Sequence, residues 1–245
     1  MLDYLVRMMI LTLGLPIICV LLLRFLGILL QESFLESFGD GLGVWLLAPG
    51  VVVHELSHAI MSLIFGMRIT DMKLFIPHSE DGTLGYVATA YNTASIKDRI
   101  GMVFVGIAPL IGNTAIIVIL YSFMFKEKAV IIWQNMKLIF KNSGALYNVL
   151  IQIFNVFGYN PMKLILFLVL MIILLSGFSL SQADLDTSSH GLIEWILLLL
   201  ILSVISYTII PVRNILIAIN ISIVAVTFFL SVFLLLGKAV ISFIW

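Results

Sequence analysis

The chain has 245 residues, 62% of them hydrophobic and only 11% charged, with a mean hydropathy of +1.21. That balance excludes a soluble domain of this size and points to a polytopic membrane protein. Formal net charge is zero, so no basic face argues for nucleic acid, and the single cysteine, Cys19, excludes an intrachain disulfide or a thiolate metal cluster.

A membrane helix needs about 20 apolar residues. Candidate spans lie at about Leu5–Leu30, Leu42–Phe65, Ile100–Phe125, Met162–Leu180, Leu192–Ile210 and Val212–Leu236. The first follows Arg7 and lacks a small-x-small cleavage site after a short apolar core, so it reads as a membrane helix and not as a removed signal peptide. Arg24, late in that stretch, reads as snorkelling toward an interface. Pro49, early in the second, is expected to kink it and free backbone groups nearby. The segment Gly66–Arg99 is polar. Within it Ile69–Ile76 and Gly85–Tyr91 read as short strands around His78-Ser79-Glu80-Asp81-Gly82, a hairpin at the membrane surface. Lys126–Pro161 is mixed, and its apolar runs Ala129–Phe140 and Ala145–Phe157 fit amphipathic interfacial helices or a re-entrant pair. No internal repeat or low-complexity linker divides the chain, so residues 1–245 are read as a single membrane-embedded domain. The expected fold is all-α, with about six transmembrane helices and one small β-hairpin, in an integral, multi-pass protein of the cell membrane.

Positive charge near the helix ends sets orientation. Arg7, the Lys/Arg-free loop Gln31–Gly41, and Arg68, Lys73, Lys97 and Arg99 agree on a cytoplasmic N-terminus and a cytoplasmic Gly66–Arg99 hairpin. Lys126, Lys128, Lys137 and Lys141 argue the other way for their own loop.

The second apolar stretch contains His54-Glu55-Leu56-Ser57-His58. Residues four apart share a helix face, so both imidazoles can reach one metal ion, and Glu55 points close to the same place as a proton carrier. The competing reading is a helix with two satisfied core histidines. It must also account for an ionisable Glu in a membrane segment, which costs about 2.5–3.5 kcal/mol at a helix centre. A catalytic zinc site commonly has three protein ligands, so a third is required. Asp184 is the first choice: it ends the Met162–Leu180 stretch on the side where the metal helix also ends. Asp186 is the runner-up, and an Asp184 that merely caps the next helix is the alternative. His78 and His190 read most simply as loop histidines. Imidazole and carboxylate ligands favour Zn2+ while accepting other divalent ions.

Val53-His54-Glu55-Leu56-Ser57-His58-Ala59, followed by Gly66 and the strand-like Arg68–Phe75, resembles the site-2 protease family of intramembrane zinc metalloproteases. So does Val105-Gly106-Ile107-Ala108-Pro109-Leu110-Ile111-Gly112-Asn113, which is similar to that family's Gly/Ala-Pro-Leu-x-Asn stretch. The family's usual third-ligand motif, Asn-x-x-Pro-x-x-x-Leu-Asp-Gly, is missing. Asn155 and Asn160-Pro161 echo part of it, whereas Ser181-Gln182-Ala183-Asp184-Leu185 resembles the Ser-x-x-Asp segment of a divergent branch. The resemblance implies a membrane-embedded metalloendopeptidase acting on a membrane protein or membrane-associated peptide. His54, His58 and Asp184 would hold zinc, and Glu55 would activate water. Asn113 could bond substrate or a ligand, but a helix-packing polar role is the preferred reading. The hairpin would either offer an edge strand to substrate or simply cover a polar cavity opening on its side. Two other readings stay open. One is a protease of the prenylated-protein-processing kind with Glu194 as third ligand. The other is a non-catalytic regulator, binding protein or metal carrier that retains the metal.

Overall fold

The computed structural model describes residues 1–79, 82–127, 129–130, 134 and 160–244. Among these residues the chain forms eight α-helices and one two-stranded sheet: α1 (Leu2–Met9), α2 (Leu15–Phe38), α3 (Val44–Ile64), β1 (Arg68–Lys73), β2 (Tyr86–Ala90), α4 (Ile96–Met124), α5 (Pro161–Leu175), α6 (Gln182–Ser189), α7 (Leu192–Thr208) and α8 (Ile210–Ile244). The expected helices at Ala129–Phe140 and Ala145–Phe157 lie almost wholly outside the described residues, as do Glu80 and Asp81 of the hairpin.

Four helical stretches are long and apolar enough to cross a membrane: Leu2–Ile64, Ile96–Met124, Pro161–Phe178 and Ile210–Phe243. A fifth arises if α6 and α7, bent by 57° at their junction, count as one. The six spans expected from hydropathy are therefore not reproduced one for one. Two of them merge in Leu2–Ile64, whose 63 residues would measure about 95 Å as one straight helix, against a hydrocarbon core of about 30 Å. The merged stretch is broken by a π-helical segment at Gly39–Gly43, where Gly39 takes φ +69°. That backbone conformation is open to glycine and strained for other residues. The other discrepancy is α7, whose 17 residues are too short to count without α6.

Helix α3 stops cleanly. Gly66 has φ +74°, its N–H reaches Leu63 O, and the Met67 N–H reaches Ser62 O at 2.9 Å, a Schellman closure that turns the chain into β1. Strands β1 and β2 pair antiparallel from Arg68↔Ala90 to Lys73↔Tyr86, with a bulge between Ile69 and Asp71. Strand β2 falls within the expected Gly85–Tyr91, whereas β1 starts one residue before the expected Ile69–Ile76 and ends three residues short of it.

The described chain divides into two compact units, Met1–Asn113 with Ile173–Trp245, and Thr114–Ile172. In the first, α8 packs along α2, and α7 packs on α1 and α8. Met67, Met102 and Val105 form a buried cluster covered by Met61, Phe65 and Tyr91. Phe104 is sandwiched between Phe65, stacked at 5.6 Å, and Trp195, edge-on at 5.1 Å. The second unit is apolar and aromatic: Phe167 lies edge-on to both Tyr121 and Phe125 at 5.8 and 5.6 Å.

Candidate metal centre

Small residues let the elements around α3 approach closely. A Cβ on Gly50 would meet the Gly177 N and Ile173 O at 2.9 Å. A Cβ on Gly112 would run into Ser57, and one on Gly106 into Ser188 and the Asp184 carbonyl. These contacts bring α3, α4, the 3-10 turn Ser176–Phe178 and α6 within bonding reach of one another.

At their meeting point lie His54, His58 and Asp184, each offering one ligand atom, all within 4.8 Å of one another. His58 Nε2 is 3.0 Å from Asp184 Oδ1, His54 Nε2 is 3.4 Å from Asp184 Oδ2, and the two Nε2 atoms are 3.1 Å apart. His54, Glu55, His58 and Asp184 are all at most 8% exposed.

The other face of each ring explains the convergence. His54 Nδ1 donates to Gly177 O at 2.9 Å and His58 Nδ1 donates to Val105 O at 2.7 Å. A carbonyl only accepts, so each Nδ1 carries a proton, and in the neutral imidazole each Nε2 then presents a lone pair, an assignment made from the partners. Three acceptor atoms thus face one another with no donor between them. A divalent cation resolves this arrangement. At metal–ligand distances of about 2.0–2.2 Å, tetrahedral ligand atoms stand about 3.3–3.6 Å apart; the Nε2–Nε2 distance of 3.1 Å and the nearest Asp184 oxygens, Oδ1 at 3.0 Å from His58 and Oδ2 at 3.4 Å from His54, lie close to that range. The donor set could therefore hold a metal ion.

Both carbonyls are free for local reasons. In an α-helix Val105 O would accept from the amide of residue 109, but residue 109 is Pro and has no N–H. Gly177 lies in the 3-10 turn where α5 has unwound. Asn113, fully buried, donates through Nδ2 to Pro109 O at 3.0 Å and to Gly177 O at 3.2 Å. It thus steadies the carbonyl that orients His54, and stands on the packing side of its two sequence readings.

Asp184 combines the two roles weighed for it. It is the N3 residue of a capping box that starts α6. Its N–H donates to Ser181 Oγ at 3.1 Å, and its Oδ2 accepts from the Ser181 N–H at 2.6 Å. Capping and facing the histidines are compatible because a carboxylate has lone pairs for both. Asp186 is exposed and accepts from Gln182 at 3.1 Å, outside the cluster. Glu194 pairs with Arg99 at 2.6 Å and is also outside it, which removes the residue on which the Glu-ligand alternative rested. His78 is exposed. His190 Nδ1 donates to the Asp186 carbonyl at 2.7 Å, with its ring edge-on to Tyr91.

A cavity of about 710 Å³ contains His54, Glu55, His58 and Asp184 in its wall. The rest of the wall includes the segment Gly82–Val87 of the hairpin. Gly85 sits directly over Glu55, since a Cβ there would meet Glu55 Cγ at 2.7 Å. No protein hydrogen bond holds the Glu55 carboxylate among the described residues. Ser62 on α3 meets Thr89 on β2 at 3.1 Å, tying the hairpin to the metal helix. Tyr86 donates to Asp71 Oδ2 at 2.5 Å, and that bond pushes its ionisation above the usual tyrosine range. Pro49 lies inside α3, which stays helical through it.

Arg24 departs from the sequence reading. It bonds inward, Nε donating to Leu180 O at 2.9 Å, and contributes to the cavity wall. Neither the Gly177 and Val105 carbonyls nor Gly85 was singled out from sequence. A backbone acceptor has no residue-type signature, and Pro109 was the one available signal for Val105.

No protein-family model, curated protein or solved structure matches the chain. The site stands on its own geometry.

Proposed function

We propose that the protein is a membrane-embedded zinc metalloendopeptidase that hydrolyses peptide bonds of membrane-associated substrates. The observation that carries this is the meeting of three lone-pair atoms, from His54, His58 and Asp184, with an unbonded Glu55 carboxylate in the same cavity wall. The resemblance of the His54–His58 and Val105–Asn113 segments to the site-2 protease family supports it. Zinc held by these ligands would supply Lewis acidity, making water acidic near neutral pH and polarising a carbonyl oxygen. Glu55 takes the proton of the attacking water and passes it to the leaving nitrogen. It suits that task because, among the described residues, no protein hydrogen bond holds its oxygens. Gly177 and Val105 hold the imidazoles in the tautomer that presents Nε2. Gly85 and its neighbours cover Glu55 and restrict bulk water, which strengthens charge interactions beneath them. An unwound substrate segment fits the cavity better than an intact helix, whose peptide bonds are hidden.

The test is metal analysis of detergent-purified protein, comparing wild type with Asp184→Asn and Asp186→Asn. The expected result is one zinc per chain, lost in Asp184→Asn alone. Glu55→Gln should keep zinc and lose hydrolysis by about 10²–10⁴-fold. Stoichiometric zinc in Asp184→Asn would move the third ligand elsewhere. Near-wild-type hydrolysis in Glu55→Gln would refute the proton-carrier role. Wild type that stays metal-free after zinc is supplied would reject the metalloenzyme reading.

A further inference from the structure

The Leu180–Ser181 peptide is bonded on both sides. Its carbonyl accepts from Arg24 Nε at 2.9 Å, and its N–H donates to Asp184 Oδ2 at 2.6 Å. Arg24 lies in α2, well away in sequence, and the peptide connects its guanidinium to the third ligand. Leu180 is 1% exposed, so solvent is poorly placed to take over the bond.

A guanidinium within an apolar stretch is expensive, about 2.5–3.5 kcal/mol on insertion scales. The ion pairs among the described residues do not include Arg24. Among the described residues its charge meets no carboxylate within ion-pair distance, and its Nε is directed at one peptide dipole. A cation at the carbonyl end of a peptide pulls electron density toward the oxygen and makes the N–H at the other end a stronger donor. That N–H engages Oδ2. It occupies one oxygen of Asp184 and leaves Oδ1, which lies 3.0 Å from His58 Nε2, as the freer ligand atom.

We propose that Arg24 is a positioning residue for the metal centre, acting through the Leu180–Ser181 peptide to orient the Asp184 carboxylate and raise its affinity for a divalent cation. The inference rests on the metal-site reading but not on hydrolysis. The simpler alternative is that Arg24 only satisfies a carbonyl left over where the chain breaks between Phe178 and α6. That alternative predicts lost stability of the metal-free protein and no selective change in metal binding.

Cobalt(II) is the probe, titrated into the metal-free, full-length protein in detergent against a competing chelator, with its visible absorption read alongside. Arg24→Met should bind cobalt about 10–100-fold more weakly, the usual cost of losing an outer-sphere partner, with an altered absorption band. Arg24→Lys keeps a charged donor and should recover most of the affinity. Arg24→Gln should fall between the two. Gln31→Ala, also in the cavity wall and on α2, should leave both affinity and band unchanged. Wild-type affinity and band in Arg24→Met would overturn the inference. So would a drop in thermal midpoint of the metal-free variant with cobalt affinity intact. Should Arg24→Met fail to fold, Lys and Gln carry the comparison: Gln weaker than Lys supports the inference, and equal binding overturns it. No cobalt binding by wild type would reject the metal site and this inference together. Cobalt binding without peptide hydrolysis would reject the protease reading alone.

Discussion

Pro109→Ala should move stability and metal affinity in opposite directions. Pro109 is fully buried inside α4, four residues after Val105. A proline in a helix interior costs about 3 kcal/mol relative to alanine, mostly because it deletes one ladder bond and crowds the preceding turn. Alanine restores the amide N–H. Truncating the ring removes two buried methylenes, at about 0.8 kcal/mol each, so about 1.6 kcal/mol is lost. The metal-free variant should therefore be more stable by roughly 1.4 kcal/mol. The restored N–H would then compete for Val105 O with His58 Nδ1, which donates to it at 2.7 Å. Sharing that acceptor should weaken the His58 bond by about 1 kcal/mol and lower metal affinity roughly fivefold. Thermal unfolding of the metal-free protein in detergent gives the first quantity, and cobalt titration against a chelator the second. Unchanged affinity would refute the idea that proline frees the carbonyl that sets the ring. A less stable variant would show that the lost ring contacts outweigh the repaired ladder.

Three further outcomes are expected. Ser181→Ala removes the hydroxyl half of the capping box and should cost about 1 kcal/mol of stability; because the Ser181 N–H to Asp184 Oδ2 bond survives, metal affinity should fall less than in Asp184→Asn, and an equal fall would make the hydroxyl as important to the ion as the carboxylate. Gly85→Ala places a Cβ at 2.7 Å from Glu55 Cγ and should reduce hydrolysis while leaving zinc content at the wild-type value; lost zinc would mean that the segment supports the ligands and does not act on Glu55. With the buried Cys19 replaced by Ser, single cysteines at the exposed positions Glu36 and Lys73 should react with impermeant reagent from opposite sides of the membrane, the outcome expected of a single crossing by α3 between them. Reaction of both from one side would refute that crossing.

The parts of the site that were legible in the sequence are those set by local periodicity. His54, Glu55 and His58 fall on one helix turn whatever surrounds them, and an apolar run of that length makes the helix. The hairpin was legible for the same reason, since its alternation and turn residues are local. Asp184 was narrowed to a pair with Asp186 by position at a helix end, and only the fold separates two carboxylates two residues apart. What sequence could not provide is tertiary. The acceptors for the two Nδ1 atoms are main-chain atoms of Gly177 and Val105, 123 and 47 residues away from their histidines. Arg24 read as an interfacial cation because nothing near it in sequence needs a donor. Its partner is 156 residues on. The six expected spans are not confirmed one for one where chain geometry, not hydropathy, decides: at the glycine-rich break after α2 and at the bend between α6 and α7.

The double use of Asp184 has a kinetic side. Its carboxylate closes the first turn of an eight-residue helix through Oδ2 and faces the histidines with both oxygens. Fraying that turn turns the carboxylate away, and the carboxylate cannot swing away without fraying the turn. For the proposed metal, departure of the ion and opening of α6 are then one event. The residence time of the ion is set by how often a single helical turn unlatches, and a stronger chelator would shift the final balance without hastening the first step.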